Sequence, residues 1–148
     1  MSTRARIGIK NKKDESIRAV FLHYDGYPAS AGSTLFENFY DDARIRDLIA
    51  LGDLEALYPR LIPDPLSGHS YLTPQPFVTV ARGRDCKMKG CGAVAYADRS
   101  AYEEIGTPQG EEYLYLFTGI WYVYAVETKR WKTLRNVLKD LKTPNTVL

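Results

Sequence analysis

Apolar and polar positions alternate from the first residues of the chain. Ala5, Ile7 and Ile9 fall on one side and Arg4, Arg6 and Lys10 on the other, the period-two pattern of a half-buried strand. Lys12-Lys13-Asp14-Glu15 interrupts it as a polar turn. Ile17 to Tyr24 returns as a second strand, with Ile17, Ala19 and Phe21 facing one way and Val20 and Leu22 the other. A strand apolar on both faces belongs inside a sheet, so the pattern predicts an N-terminal hairpin whose second strand is central. The period then lengthens. Ile45, Leu48 and Ile49 make an i, i+3, i+4 stripe with Arg44, Arg46 and Asp47 off it, predicting a helix capped by Asp41 or Asp42 and ended by Gly52. Ser33 or Thr34 caps a shorter helix before it, and Asp53 is expected to cap a last turn holding Leu54, Leu57 and Tyr58.

The most apolar and aromatic run is Glu111 to Glu127. It predicts a Tyr-rich hairpin over about 113–126, with Thr118-Gly119 as a two-residue turn. That turn opposes Phe117 to Ile120, Leu116 to Trp121 and Tyr115 to Tyr122. One face then carries Tyr113, Tyr115, Phe117, Tyr122 and Tyr124, and the other Leu114, Leu116, Trp121, Val123 and Ala125. The C-terminal stripe Trp131, Leu134, Val137, Leu138 and Leu141, opposite Lys132, Arg135, Lys139 and Lys142, predicts a basic amphipathic helix stopped at Thr143-Pro144, with a frayed tail over 143–148.

Between these elements lie less regular stretches. Residues 59–76 hold five prolines, Pro59, Pro63, Pro65, Pro74 and Pro76, and predict an extended loop ordered only if it packs on the body. Phe77 to Ala81 reads as a strand, Arg82 to Gly92 as a basic loop and Ala93 to Ala97 as a short apolar segment. Asp98 or Ser100 caps a brief helix over Ala101 to Ile105. Strands pair as hairpins and helices are interspersed. The expected architecture is therefore a single α+β domain over 1–148, an antiparallel sheet with helices packed on one face.

Composition changes this picture little. With 45% hydrophobic residues, the chain has enough apolar side chains for a core. No apolar run approaches the roughly 20 residues of a membrane-spanning helix, and the charged N-terminus lacks the apolar stretch of a signal peptide. Two cysteines, Cys86 and Cys91, are too few for a disulfide framework. A cytoplasmic location without membrane contact is expected. Charge is more informative than its net value of +2. Residues 1–24 and 127–148 each carry six Lys/Arg against two acids, and residues 25–126 carry eight against fourteen, so each end is +4 and the middle −6. The ends could form a basic face, or simply decorate exposed elements.

Several groupings bear on chemistry. His23 and Asp25, in His23-Tyr24-Asp25-Gly26-Tyr27-Pro28, could be a base and its orienting carboxylate, but no nucleophile motif accompanies them. The simpler account makes Asp25-Gly26 a turn and the tyrosines packing groups, with the 23–28 loop as one wall of a ligand pocket as an intermediate reading. Cys86, Cys91, His23 and His69 are zinc-compatible ligand types, yet the Cys-x4-Cys spacing is not a zinc knuckle. Free thiols are the plainer account, and neither a metal nor a cofactor is expected. Arg82, Arg84, Lys87 and Lys89, with glycine among them, could grip phosphate but lack the order of a P-loop. The tyrosine face could stack bases, with Arg4, Arg6 and Lys10 at phosphates, or could lie under a helix.

The opening Met-Ser-Thr-Arg-Ala-Arg-Ile-Gly-Ile-Lys-Asn, the segment His23 to Pro28, Leu48-Ile-Ala-Leu-Gly-Asp53 and Trp121-Tyr122-Val123-Tyr124 resemble a group of small uncharacterised proteins of tailed bacteriophages and prophages. The resemblance covers about half the chain, mostly its first third, and implies an accessory protein made in an infected bacterial cytoplasm. Such a protein is expected to bind a host or phage macromolecule, as an inhibitor of a host defence or enzyme. A small-ligand or nucleotide binder, and a nucleic-acid binder using the basic termini, remain the alternatives. Binding is assigned to His23, Tyr24, Asp25, Tyr27, His69, Arg82, Arg84, Lys87 and Lys89, and no residue is assigned to catalysis.

Overall fold

The computed structural model describes residues 2–142. Eight strands join one sheet in it: β1 (Ala5–Lys10), β2 (Ile17–Leu22), β3 (Leu54–Ala56), β4 (Val80–Ala81), β5 (Val94–Tyr96), β6 (Tyr113–Phe117), β7 (Trp121–Ala125) and β8 (Arg130–Thr133). Their order is β4-β3-β2-β1-β6-β7-β8, with β5 pairing β2 beside that row. The α-helices of the described residues are α1 (Ser33–Asn38), α2 (Asp42–Ala50), α3 (Arg82–Cys86), α4 (Arg99–Ile105) and α5 (Leu134–Lys142), and a π-helical turn spans Pro28–Gly32. The fold is α+β, as the sequence predicts. The expected frayed tail lies outside the described residues.

Both expected hairpins form, and β2 is central, hydrogen-bonded to β1, β3 and β5. The hairpins join differently from the antiparallel arrangement expected. β1 and β6 run parallel, from Ala5 opposite Tyr113 to Ile9 opposite Phe117, and β2 meets β3 in parallel at Leu22 and Leu54. A hairpin turn dictates only its own pairing. How two hairpins meet is set by the long crossover between them.

The Tyr-rich hairpin has a different register. Phe117 faces Trp121 and Tyr113 faces Ala125, so the turn holds three residues, Thr118, Gly119 and Ile120. Gly119 takes φ 107°, and Thr118 N donates to the Ile120 carbonyl at 3.0 Å. One extra turn residue inverts every side chain of β7 relative to β6. Tyr115, Phe117, Trp121 and Val123 therefore share one face, while Leu114, Leu116 and Tyr124 share the other. No separate tyrosine face exists.

Helices cover both faces of the sheet, where one covered face was expected. On the first, α1, α2 and α5 bury Leu35, Ile45, Leu48, Leu134 and Leu138 against Ile7, Val20, Leu22, Tyr115 and Val123. On the second, Tyr102 of α4 packs with Ile17, Ala19, Leu114, Leu116 and Tyr124. The side of β1 read as solvent-facing thus lies partly beneath α4 and its following loop. Arg6 is buried there against Glu111, Nη2 to Oε2 2.6 Å, and its Nε also donates to the Gly106 carbonyl at 3.2 Å.

Caps follow the sequence more closely. Asp41 accepts from Arg44 N, and Asp98 from Ala101 N. Gly52 ends α2 at φ +78°, and a Cβ there would sit 2.2 Å from the Cys91 carbonyl oxygen. Other expectations fail locally. Asp53 does not cap a turn: it accepts from Phe21 N at 2.9 Å and leads into β3. Trp131 lies on β8 rather than at the start of the C-terminal helix, and packs on Tyr124 with ring centroids 5.0 Å apart. Phe77 lies outside the strand read over 77–81, which shortens to β4, and Arg82 opens a short helix where a loop was expected.

Candidate functional site

The segment His23 to Pro28 leaves the end of β2 and is built as a turn. Asp25 takes φ 56°, the left-handed conformation that Asp tolerates better than most residues. Gly26 N donates to the Thr3 carbonyl at 2.8 Å, and a Cβ on Gly26 would lie 2.6 Å from that of Ala5. The Gly26 carbonyl accepts from the buried Tyr115 hydroxyl at 2.7 Å, tying the turn to the sheet. Tyr27 precedes the π-helical turn, which Pro28 opens.

His23 does not pair with Asp25. Its partner is Glu55 of β3, whose Oε2 lies 3.0 Å from Nδ1. An ionised carboxylate only accepts, so Nδ1 carries the proton. The other carboxylate oxygen of Glu55 accepts from Arg82 Nε at 2.5 Å. Burial acts to raise the Glu55 pKa, but the hydrogen bonds from His23 and Arg82 outweigh it and hold the carboxyl below its usual range. Around this knot, the Tyr24 ring stacks on His23 at 4.2 Å, the Arg82 guanidinium lies 4.9 Å over Phe21, and the neighbouring Tyr71 hydroxyl raises the Tyr24 phenol. Sequence reasoning missed Glu55 because it assigned 53–58 to a capped turn. Leu54-Glu55-Ala56 is a strand triplet that turns Glu55 away from Leu54.

Tyr71 belongs to the proline-rich loop, which is braced from within. Arg84 Nη1 donates to the Leu61 carbonyl at 2.6 Å and Nη2 to the Thr79 carbonyl at 2.8 Å. His69 is enclosed: Gln75 N donates to its Nδ1 at 3.0 Å, so Nε2 carries the proton toward Asp85 Oδ2 at 3.2 Å. Asp85 also accepts from Ala81 N at 2.8 Å and from Arg84 Nε at 2.9 Å. Its burial works to raise the pKa, and the Arg84 and Ala81 hydrogen bonds bring the net shift below the ordinary aspartate range. Gln75 closes the far bend, accepting from Asp64 N at 2.7 Å and donating to the Asp64 and Ser67 carbonyls at 2.9 and 2.8 Å.

Apart from the buried Leu61, the braced loop and its flanks turn their apolar side chains outward. Ile62, Leu66, Leu72 and Phe77 are 79%, 94%, 87% and 68% exposed, and Tyr58 and Tyr71 are exposed beside them. Phe77 sits at φ 61°, a conformation that costs a bulky residue on the order of 1–3 kcal/mol. Flanking backbone bonds hold it: Arg60 N to the Phe77 carbonyl at 3.0 Å, and Thr79 N to the Arg60 carbonyl at 2.8 Å.

The expected site residues therefore separate. His23, Tyr24 and Arg82 come together around Glu55 at the root of the loop. His69 and Arg84 are internal braces. Asp25 shapes a turn, and Tyr27 faces a different cleft. Lys87 and Lys89 are exposed beyond α3, and the four cations of 82–89 do not converge on one point, because Arg82 and Arg84 are spent on Glu55 and on the loop. The Cys86 thiol is pushed up first by burial and then by the Glu55 and Asp85 carboxylates, so it stays protonated at neutral pH. Among the described residues no cluster of His, Cys, Asp and Glu is arranged to hold a metal ion, and no helix is long and apolar enough to cross a membrane.

No protein-family model, no curated protein and no solved structure matches the chain.

Proposed function

We propose that this chain is a binding protein that docks a protein partner through its proline-rich loop, with Tyr58, Ile62, Leu66, Leu72 and Phe77 as the apolar anchors. The carrying observation is the pairing of outward apolar side chains with inward bracing. Exposed apolar groups concentrated on one ordered segment are the hallmark of an interaction surface. Burying a Leu or Phe side chain contributes about 1.5–3 kcal/mol. A loop already ordered in the free protein loses less entropy on docking than a mobile one. Tyr24 and Tyr71, at the root of the loop, extend the surface toward the His23–Glu55–Arg82 knot. That knot positions the rim and carries no reaction in this reading.

The resemblance to tailed-phage proteins supplies the setting: an accessory protein in the cytoplasm of an infected bacterium, acting on a host or phage macromolecule and inhibiting it by occlusion. The nucleic-acid reading has weaker support. Arg6 is buried on Glu111, Lys10 pairs with Glu15 at 3.8 Å and Lys12 with Asp42 at 3.9 Å, so several N-terminal cations already have acids beside them.

Affinity capture from bacterial lysate, run in parallel with the wild-type chain and Leu66→Asp/Leu72→Asp, tests the proposal. Both substitutions fall on exposed positions, and circular dichroism is expected to show the fold intact in the variant. A specific partner retained by the wild type and lost by the variant is the expected result. Retention of the same partner by both chains, or no specific partner for either, sinks the reading.

A further inference from the structure

A second site lies on the opposite flank of the sheet. Tyr113, Val123 and Ala125 form the floor of an open cleft of about 390 Å³. One wall is Tyr27, Pro28 and Ala29, where the 23–28 turn enters the π-helical turn. The other is Val137 and Leu141 of α5. The open edge is β8, and its register decides the chemistry. Arg130 pairs with Ala125 and Lys132 with Val123, so both cations stand on the same face as the apolar floor. Neither has an ion-pair partner among the described residues, and no carboxylate lines the cleft. The volume falls in the range of small-molecule sites.

We infer that this cleft binds an aliphatic carboxylate, its hydrocarbon body on the floor and against α5 and its head group between Arg130 and Lys132. Pro28, Ala29, Val137 and Leu141 supply dispersion and burial without hydrogen-bonding demands. The two cations supply the orientation. Tyr27 and Leu141, both partly uncovered in the free protein, close over the chain of the ligand. The site is independent of the loop proposed to dock a protein, which connects β3 to β4 at the other end of the strand order.

The test is titration of the full chain with decanoate below its micelle concentration, followed by backbone amide shifts in NMR spectra, with decanol and decylammonium as matched probes. Decanoate is expected to shift amides at 27–29, 123–125 and 130–132 and to bind about ten-fold more tightly than decanol, the difference a pair of exposed cations acting together supports. Decylammonium is expected not to bind. Arg130→Glu/Lys132→Glu, both at exposed edge positions, is expected to remove the preference for decanoate over decanol. Ala125→Phe fills the floor and is expected to block both probes, and Tyr27→Ala is expected to weaken both. Equal binding of decanoate and decanol, shifts confined to other surfaces, or unchanged decanoate binding in Arg130→Glu/Lys132→Glu overturns the inference. Leu66→Asp/Leu72→Asp is expected to bind decanoate as the wild type does, so failure of the loop proposal and failure of this one are read separately.

Discussion

Arg6 shows how much one side chain's environment depends on distant chain. In β1 it alternates out of the first core, and a solvent-facing role follows from that pattern alone. Glu111 and the Gly106 carbonyl enclose it instead. Removing one member of a buried ion pair leaves an uncompensated charge, at a cost of about 3–5 kcal/mol, whereas replacing both members is often neutral. Arg6→Met is therefore expected to lower the urea unfolding free energy by roughly that amount, and Arg6→Met/Glu111→Leu to recover most of it. A double variant as unstable as the single one would show that the pair itself, rather than the stranded carboxylate, carries the stability. Gly52 is a residue whose position admits no side chain. Its φ of +78° and the Cys91 carbonyl, 2.2 Å from where a Cβ would be, combine strain with a backbone clash. Gly52→Ala is expected to lower the melting temperature in calorimetry more than Gly83→Ala, where an added Cβ has no neighbour closer than 3.9 Å.

At the scale of elements, the proline-rich loop and the Tyr-rich hairpin behave differently as readings of sequence. The loop was legible as a loop, and its order was legible as conditional on packing. What braces it was not, because Arg84, His69 and Asp85 contact residues up to 23 positions away. Its pH response follows from Asp85. The folded pKa lies below the ordinary value of about 3.9, so the bracing is fully present above that value and is lost as pH falls through the lower, folded pKa. Glu55 has the same sign. Asp53 has the opposite one, since burial leads a net rise, and it opposes stability above its folded pKa. Hydrogen exchange is expected to show amides of 60–79 losing protection in acid below about pH 4 before those of β1 and β2, and Asp85→Asn to reproduce that loss at neutral pH. Simultaneous loss in loop and sheet would mean that the loop is no separate unit of stability. The hairpin erred by one residue. Ile120 is β-branched and apolar and reads as strand, yet it is excluded from the ladder and half uncovered at the turn.

Across the whole molecule, the sheet is organised by what covers it. The first face takes α1, α2 and α5, the second takes α4, and the two ends of the strand order are left for other uses. At one end β4 has only two residues and leads directly into α3. At the other, β8 carries Arg130 and Lys132, charges that discourage edge-to-edge pairing and that border the cleft assigned to a carboxylate. The terminal basic segments were visible in the sequence as a charge pattern, but the fold divides them. Arg6 goes inside, Lys10 and Lys12 stand beside acids, and the β8 cations line a cleft. The candidate site was half legible. His23, Tyr24 and Arg82 stood out as polar or aromatic groups at the end of an apolar strand and after another. Glu55, which joins two of them, did not.

The sequence by itself determined the strands of both hairpins, the central place of β2, the caps at Asp41 and Asp98, the break at Gly52 and the α+β class. Each depends on periodicity or backbone preference within a few residues, and such local terms are written into neighbouring side chains. Only the tertiary structure decided the parallel meeting of β1 with β6, the burial of Arg6, the move of Trp131 from helix to strand, and the pairing of His23 with Glu55 instead of Asp25. Those outcomes depend on which elements share a face. That choice is made by burying the most apolar surface and satisfying the buried polar groups together, a sum over the whole chain that no single stretch contains.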